Sequence, residues 1–277
     1  MKRARLQCLG DGIAFALCLG SDPALAVDDP PASPPGSSAA PAAAWSFTGD
    51  LDLYSDYIAR GVSYTSERPS FQGHLEFDWT RGPYAGLVLS HYTVLAGAES
   101  VEVDPYAGFT ARVADVAVDA GIFCWFYPGS RFSVSGNRYD TKEAYLGVTY
   151  QWVGAKVWYE LTDYFGLNSD SAGPNWALPP NGTSQGSHYV EANLTVPLPH
   201  ELTLSLHGGH QWIQHYGQLN FTDWLIGMQK DLGHGFLAGV SRTDTTADPV
   251  RWTDSRGIDL TRGKWLVYLK WTFSNGL

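Results

Sequence analysis

The stretch 264–273 constrains the fold of this chain more than any other, because its side chains alternate between two kinds. One set is apolar and mostly large: Trp265, Val267, Leu269, Trp271 and Phe273. The other set is mixed and ends in polar groups: Leu266, Tyr268, Lys270 and Thr272. Alternation with a period of two places the sets on opposite faces of one strand. An apolar face with aromatic residues near its ends is typical of a strand in a membrane-spanning barrel, whereas the edge strand of a soluble sheet avoids it. An ordinary sandwich strand is the alternative on this stretch alone.

The composition favours a chain of many strands and turns. Aromatic residues make up 14% of the 277 residues, charged residues only 17%, and there are 30 glycines. No apolar run approaches the roughly 18 residues that a membrane-spanning helix needs, so a membrane crossing would use strands. The net charge of −10 argues against nucleic acid as a partner, because nucleic-acid-binding domains are basic.

The N-terminal segment 1–26 has the pattern of a secretory signal peptide. Its start is basic, residues 13–19 are apolar, and Ala24-Leu25-Ala26 has the small residues of a cleavage site. The basic residues are Lys2, Arg3 and Arg5. We therefore predict export and cleavage after Ala26.

Three further segments follow the predicted signal peptide. Residues 27–44 are rich in Pro, Ala and Ser without an apolar period, which predicts a flexible spacer. From Trp45 onward the alternation begins, and we predict the barrel over residues 45–273. Residues 274–277 are a short C-terminal tail.

Twelve segments of alternating character follow one another along 45–273, the first over 45–58 and the last over 264–273. The connections between them alternate in length, so that six longer loops are separated by five short turns. Outer-membrane barrels have this arrangement, with tight turns at one end and longer loops at the other. The sequence therefore predicts an all-β fold, a transmembrane antiparallel up-and-down β-barrel of about 12 strands. Both termini should lie at the end with the short turns.

The polar face of the predicted strands is acidic. The side chains predicted to line the lumen are Asp50, Asp52, Asp56, Glu76, Asp78, Glu102, Asp104, Asp119, Glu143, Lys156, Glu160, Glu191 and Lys270. A narrow pore lined by carboxylates favours cations over anions, so we predict a cation preference. The alternative is that these carboxylates pair with Lys156, Lys270, His74 and arginines of the loops and brace a closed interior. Loops 128–140, 166–186 and 245–262 are predicted to form the mouth.

The outward face is predicted to carry the aromatic girdle of a membrane protein. Its members are Trp45, Phe71, Trp79, Phe109, Trp152, Trp224, Trp265, Trp271 and Phe273. Several glycines lie inside the predicted strands, where glycine normally weakens the ladder. We predict that they accept large inward Tyr and Trp rings: Gly73, Gly86, Gly108, Gly121, Gly147, Gly208 and Gly227.

An outer-membrane hydrolase is a competing interpretation, because such barrels exist as enzymes. It would need a nucleophile with a histidine and a carboxylate in reach. Pairs such as Ser205 and His207 are what chance supplies in a chain with eight histidines. No spacing predicts a structural metal site, and no phosphate loop or dinucleotide motif is present. We predict no enzyme activity, no cofactor and no metal.

Short motifs in a fixed order resemble one bacterial family. Near the start, Ser55-Asp56-Tyr57 is followed by Arg60-Gly61-Val62-Ser63. Later motifs are Phe71-Gln72-Gly73, Tyr84-Ala85-Gly86, Asp104-Pro105-Tyr106-Ala107-Gly108, Tyr127-Pro128-Gly129, Glu143-Ala144-Tyr145-Leu146-Gly147, Asp163-Tyr164-Phe165-Gly166 and Lys230-Asp231-Leu232. Together they resemble the TorF-type porin family, earlier described as conserved bacterial proteins of unknown function. The resemblance covers about 45–273 and implies a Gram-negative outer-membrane barrel with a porin role. The spacer 27–44 and the tail after Phe273 depart from the family pattern.

The leading functional prediction is a porin-like channel for passive diffusion of small hydrophilic solutes or cations. The expected partners are outer-membrane lipid and, during biogenesis, the barrel-assembly machinery. A non-conducting barrel that presents its long loops for structural or surface interactions is the first alternative. An enzyme comes third and a soluble secreted β protein fourth.

Overall fold

The computed structural model describes residues 45–93 and 100–275. The predicted signal peptide 1–26 and the predicted spacer 27–44 lie outside the described residues, as do the last two residues of the tail.

The described chain forms fourteen strands, numbered here in chain order. They are β1 (Trp45–Tyr54), β2 (Ile58–Ala59), β3 (Val62–Ser63), β4 (Ser70–Trp79), β5 (Pro83–Tyr92), β6 (Ser100–Val113), β7 (Val116–Trp125), β8 (Thr141–Tyr150), β9 (Val153–Glu160), β10 (His188–Leu198), β11 (Leu202–Trp212), β12 (Phe221–Gly233), β13 (Phe236–Thr245) and β14 (Lys264–Ser274). Helical structure is limited to α1 (Ser169–Trp176) and two short 3-10 turns at Tyr164–Gly166 and Gly217–Leu219. In the part of the chain that is described, no helix is long and apolar enough to cross a membrane.

Twelve of the strands close into one antiparallel barrel, and β2 and β3 form a separate two-stranded sheet. The barrel closes because β1 pairs with β4 on one side and with β14 on the other. In the β1–β14 pair, Leu51 lies opposite Trp271 and Tyr54 lies opposite Tyr268. The predicted fold and the predicted number of strands are therefore confirmed, and the stretch that opened the analysis is the closing strand.

The connections separate by length into the two ends of the barrel. The turn end carries connections 80–82, 114–115, 151–152, 199–201 and 234–235. The loop end carries connections 55–69, 126–140, 161–187, 213–220 and 246–263, together with the β5–β6 connection, of which only Thr93 is described. Both ends of the described chain lie at the turn end, as predicted.

The outer face of the barrel is apolar and exposed. Eight of the nine predicted girdle residues are exposed on it, and Phe273 is half-buried: its ring packs over Gly49. Near the turn end lie Trp45, Trp79, Phe109, Trp152, Trp271 and Phe273, and near the loop end lie Phe71, Trp224 and Trp265. Two aromatic bands with an apolar belt between them suit the two interfaces of a membrane.

The interior is crowded with tyrosines that lie against glycines of a neighbouring strand. Tyr106 covers Gly86, Tyr84 covers Gly108 and Tyr145 covers Gly121, each so closely that a Cβ on the glycine would lie about 2.3 Å from the ring or its hydroxyl. Two glycines that the sequence analysis did not select have the same role: Gly209 under Tyr189 and Gly239 under Tyr268. Since the rings pack on the wall, they project less toward the barrel axis.

The prediction for the other glycines is wrong. A Cβ at Gly73 would meet Leu51 and one at Gly147 would meet Lys156. Gly208 and Gly227 face no aromatic ring. The alternation shows which face a glycine is on, but not which side chain crosses from the next strand.

The first strand is shorter than predicted. It ends at Tyr54, where the prediction extended it to Ile58 with Tyr57 on the outward face. The backbone amide of Ser55 still donates to Val267 of β14, and the chain then leaves the wall and turns into the lumen. Tyr57 is therefore fully buried inside the barrel.

Candidate functional site

The predicted lumen-lining residues all lie on the inward face or under the loops. All of them are buried except Asp78 and Lys156, which are half-buried. In this conformation the interior is thus closed to solvent along much of its length. Five bulky side chains are also buried inside: Tyr54, Tyr106, Tyr145, Trp158 and Tyr268.

Several of the carboxylates form ion pairs within the barrel. Lys156 Nζ lies 3.0 Å from Asp119, and His74 Nδ1 lies 3.0 Å from Asp50. Lys270 Nζ lies 3.7 Å from Asp50 and 3.5 Å from Asp52. These are pairs that the closed-interior alternative named. The acidic face is therefore partly neutralised by residues of the wall itself.

Other carboxylates have no ion pair among the described residues. Glu76 accepts a hydrogen bond from Tyr106 at 2.7 Å, and Glu160 accepts one from Thr141 at 2.6 Å. Glu102 and Asp104 are adjacent on the inward face of β6, and both are completely buried. The interior keeps an excess of acidic groups after its ion pairs are formed.

The hairpin β2–β3 occupies the loop-end half of the lumen. Residues 57–66 form it and its flanks, and each is buried inside the barrel. Its turn is Arg60-Gly61, with φ of +47° and +76°, as a two-residue hairpin turn of type I′ requires. Glycine suits this geometry, but an arginine with positive φ is strained, typically by about 1–3 kcal/mol.

Arg60 crosses the lumen and binds the opposite wall. Its guanidinium donates to Glu143 of β8 at 2.6 Å and to Gln211 of β11 at 2.8 Å. It also lies over the ring of Tyr189 of β10, 4.3 Å from the centroid. The second oxygen of Glu143 accepts a hydrogen bond from Trp125 at 2.6 Å. Because β8, β10 and β11 stand across the barrel from β1, this contact spans the lumen.

The base of the hairpin is fixed to the near wall. Tyr57 donates its hydroxyl to Glu102 at 2.7 Å, and Asp56 lies 3.3 Å from Lys264. The backbone amide of Ser63 donates to Leu260, and that of Thr93 donates to Tyr64. These are point contacts rather than a strand ladder, so the wall is complete without the hairpin.

Aromatic side chains of other loops cover the hairpin from outside. The three predicted mouth loops contribute Phe132, Trp176 and Trp252. The ring centroid of Trp176 lies 6.4 Å from that of Phe132 and 5.5 Å from that of Trp252. Phe165 reaches Tyr64 at 6.5 Å and Trp125 at 5.9 Å. The cavity left between Arg60, Trp252 and these rings is about 10 Å³, room for about one water molecule.

Asp254 ties the last loop to the hairpin segment. Its carboxylate accepts hydrogen bonds from Ser66 at 2.8 Å and from the backbone amide of Ile258 at 2.9 Å, and Arg256 contacts it at 2.8 Å. Burial raises the pKa of Asp254, but the hydrogen bonds from Ile258, Arg256 and Ser66 outweigh it and lower the pKa to about 2. The Asp254 carboxylate therefore stays ionised above about pH 3.

A cavity of about 490 Å³ lies at the turn end of the barrel, against β1, β4 and β6. Its lining includes the polar residues Asp78, Thr110 and Arg112, and Trp45 and Trp79 stand at its rim.

His207 forms a second polar cluster that the sequence analysis did not select. Its Nε2 lies 2.9 Å from Asp223 and its Nδ1 lies 2.8 Å from Asn193 Oδ1, with Glu191 at 3.5 Å. Tyr189 donates to the other oxygen of Asp223 at 2.8 Å. Among the described residues, no group of three or more His, Cys, Asp or Glu side chains is placed to hold a metal ion.

The sequence analysis overlooked Arg60 as a lumen residue and placed it in a loop. The available signal was local: an X-Gly pair between Ile58-Ala59 and Val62-Ser63 is a hairpin pattern. The motif beginning Ser55-Asp56-Tyr57, quoted above as a resemblance, also forms this hairpin.

A family profile matches residues 38–273, nearly the whole described chain, and its description is "bacterial protein of unknown function (Gcw_chp)". The chain belongs to this family. The match agrees with the coarser part of the predicted resemblance, a bacterial family described as of unknown function. The TorF-type name does not occur in the family description, so that part of the resemblance stays a prediction. No curated protein matches the chain significantly.

Solved structures similar to this Gcw_chp protein include outer-membrane barrels of several kinds. The KdgM porin, solved with disordered oligogalacturonate, is 7% identical with a TM-score of 0.48, over 82% of this chain and 99% of that chain. The NanC porin is 9% identical with a TM-score of 0.48, again over 82% and 99%. A Salmonella typhi outer membrane phospholipase with bound calcium is 10% identical with a TM-score of 0.42, over 81% and 89%. Such values carry no information about function.

Proposed function

We propose that this Gcw_chp protein is an outer-membrane channel for passive diffusion of small hydrophilic solutes, and that the hairpin β2–β3 holds it closed in the conformation described. The observation that carries the proposal is the independence of wall and hairpin. The twelve-stranded wall is complete without the hairpin, and the hairpin lies in the lumen as a separate sheet. Withdrawal of the hairpin would leave a barrel with a polar inner face. The location follows from the exposed apolar belt and its two aromatic bands.

The size of the barrel limits what could pass. Barrels of eight strands are filled by side chains and those of sixteen hold a wide channel, so twelve strands leave a narrow one. The tyrosines that pack on glycines preserve some of this width. We therefore propose ions and small polar molecules as solutes, with cations preferred because of the excess acidic groups.

The first test compares the wild type with a shortened-hairpin barrel, in which residues 58–63 are replaced by Gly-Gly. Tyr57 and Tyr64 are joined by a backbone hydrogen bond of 2.7 Å, so a short turn can span the gap. In proteoliposome swelling assays the shortened-hairpin barrel should admit small zwitterions and sugars faster than the wild type. Equal and negligible swelling for both folded proteins would refute the channel.

Cation preference predicts a charge effect inside the lumen. In the shortened-hairpin barrel, Asp52→Asn with Glu76→Gln should move the reversal potential in a KCl gradient toward zero. A unit charge about 5 Å from a monovalent ion in water changes its energy by about 0.8 kcal/mol, roughly fourfold in the permeability ratio. Glu201→Gln is the control, because the Glu201 side chain is 69% exposed at the turn end. An unchanged reversal potential in the lumen variant would mean that these carboxylates do not line the path.

A non-conducting structural barrel is the second candidate, and one observation favours it. The inner carboxylates are buried and partly paired, as in a barrel braced for stability. In that case the shortened-hairpin barrel would remain impermeable, and the loop-end surface would carry the function. The absence of enzyme activity stays a prediction.

A further inference from the structure

Glu102 and Asp104 form a carboxyl pair beneath the hairpin. They are two residues apart on the inward face of β6, both are 0% exposed, and their carboxyl groups are close enough to interact directly. Neither has an ion pair with any described residue. Glu102 Oε2 and Asp104 Oδ2 have no hydrogen-bond partner in the described part of the chain.

The groups that face this pair are all neutral or weakly acidic. From the hairpin segment, Tyr57 donates to Glu102 at 2.7 Å and Tyr64 lies nearby. From β7 and the loop after it, the backbone amide of Phe126 donates to Asp104 at 3.3 Å, with Cys124 and Tyr127 close by. From β5, Ser90 lies opposite Glu102 in the strand register. Within residues 45–93 and 100–275, no lysine, arginine or histidine forms an ion pair with either carboxyl group.

Two adjacent carboxylates in a dry interior are costly when both are charged. Burial strongly destabilises an isolated charge that has no partner, and the two charges also repel each other. A proton shared between the two unpartnered oxygens removes one charge and supplies the missing hydrogen bond. The buried pair is thus more stable with a bound proton than without one.

The hairpin controls whether water reaches this pair. Tyr57 and Tyr64 belong to the hairpin flanks and cover Glu102, so withdrawal of the hairpin would expose the pair to water. In water both carboxyls ionise at neutral pH. Closed and open states then differ in the number of protons bound.

We propose that closure of the hairpin takes up a proton at the Glu102–Asp104 pair, so that the barrel is closed at low pH and opens as the pH rises. This inference rests on the proposed function for its physiological meaning. The closed state gains stability from the bound proton at low pH and loses it as the pH rises above about 4.3, the ordinary value for glutamate. For one proton the ratio of open to closed barrels changes by up to about tenfold per pH unit.

The other acidic groups near the hairpin either face a cationic side chain or stay ionised over the whole pH range of interest. Glu143 and its neighbour Glu160 face Arg60, and Asp56 faces Lys264. Asp254, with its pKa lowered to about 2, stays ionised throughout the range tested. Glu102 and Asp104 have no such cation partner in the part of the chain that the structure describes.

Thiol labelling measures hairpin position without any ion current. In a background without the three native cysteines, Ala59→Cys places a thiol on β2, where Ala59 is 3% exposed. Val250→Cys, at a position 85% exposed, corrects for the pH dependence of thiol reactivity itself. We expect the ratio of the Ala59→Cys rate to the Val250→Cys rate to rise between pH 5 and 8.5, by up to about tenfold per unit.

Neutral substitutions at Glu102 and Asp104 test whether this pair causes the pH dependence of the labelling ratio. Glu102→Gln with Asp104→Asn mimics the protonated pair, so its labelling ratio should stay low and flat over the same pH range. A flat ratio in the parent protein would overturn the proposal, as would an unchanged slope in the double variant. If the double variant does not show the heat-modifiable band of a folded barrel, the parent profile and Glu102→Gln alone decide. A pH-dependent ratio in a barrel that never conducts would keep this inference and refute the channel.

Discussion

The Arg60→Ala barrel is expected to open at least about a hundredfold more often than the wild type. Arg60, at the tip of the hairpin, forms an ion pair with Glu143 of β8 at 2.6 Å. Both side chains are almost fully buried. Removing one partner of a buried pair leaves an uncompensated charge and costs about 3–5 kcal/mol. Glu143 regains water when the hairpin withdraws, so this cost falls on the closed state.

Single-channel recordings in a planar bilayer measure this effect as open probability. Glu143→Gln should act in the same direction, because it leaves the arginine buried without its carboxylate. The double variant should open less than the sum of the two single effects predicts, since it removes both members of the ion pair together. Arg262→Ala is the matched control, because the Arg262–Glu67 pair is exposed and worth about 0–1 kcal/mol. An Arg60→Ala barrel that opens no more than this control would show that Arg60 does not hold the hairpin.

Gly86→Ala is expected to destabilise the barrel strongly, although it is a small change on a strand. The new Cβ would lie about 2.3 Å from the ring and hydroxyl of Tyr106. Tyr106 cannot move aside cheaply, because its hydroxyl contacts Glu76 at 2.7 Å and His74 at 2.6 Å, and its ring stacks on Phe123. Overpacking of this kind costs about 1–3 kcal/mol, and a buried carboxyl left without its hydrogen bond adds about as much.

Urea unfolding in detergent, monitored by the heat-modifiable gel shift, measures the loss in the free energy of unfolding. Gly208→Ala is the control, because the nearest atom to its Cβ would lie at 3.9 Å, an ordinary contact. The clash is with the Tyr106 ring. In a Tyr106→Ala background, Gly86→Ala should therefore cause no further loss of stability. An equal cost with and without Tyr106 would contradict the packing explanation.

The wall of the barrel could be predicted because its signals are local. A period of two fixes which face each side chain takes, and the alternation of loop lengths fixes the order of the strands around the barrel. The exposed Trp45 and Trp79 and the buried Asp50 and Glu76 therefore lie where the alternation places them. Membrane exposure sharpens this pattern, since the outward face must be apolar along its length.

For the interior, the sequence predicted which side chains face inward, but not how they pair with one another. Whether Lys156 reaches Asp119, or Lys270 reaches Asp52, depends on the distances between strands and on rotamers, which have no period in the sequence. The sequence analysis therefore had to leave an open acidic pore and a braced interior as alternatives. Each alternative is right in part: the ion pairs are present, and Glu102 and Asp104 have no ion pair with any residue that the structure describes.

The hairpin is the part that the sequence analysis misjudged, and the reason is physical. The apolar face continues from Leu53 to Tyr57 with a single polar interruption at Ser55, which is a weak signal for the end of β1 at Tyr54. The chain leaves the wall because Arg60 binds Glu143 and Gln211 on the far side of the lumen. Those partners are 83 and 151 residues away in sequence, beyond any local signal.

The ionic current through the shortened-hairpin barrel tests the central claim most directly. Folded protein, verified by the heat-modifiable gel shift, would be inserted into a planar bilayer with a KCl gradient beside the wild type. We predict frequent, long openings with a cation-directed reversal potential for the shortened-hairpin barrel, and rare openings for the wild type. A silent shortened-hairpin barrel, folded and inserted, would contradict the claim that the hairpin closes a channel.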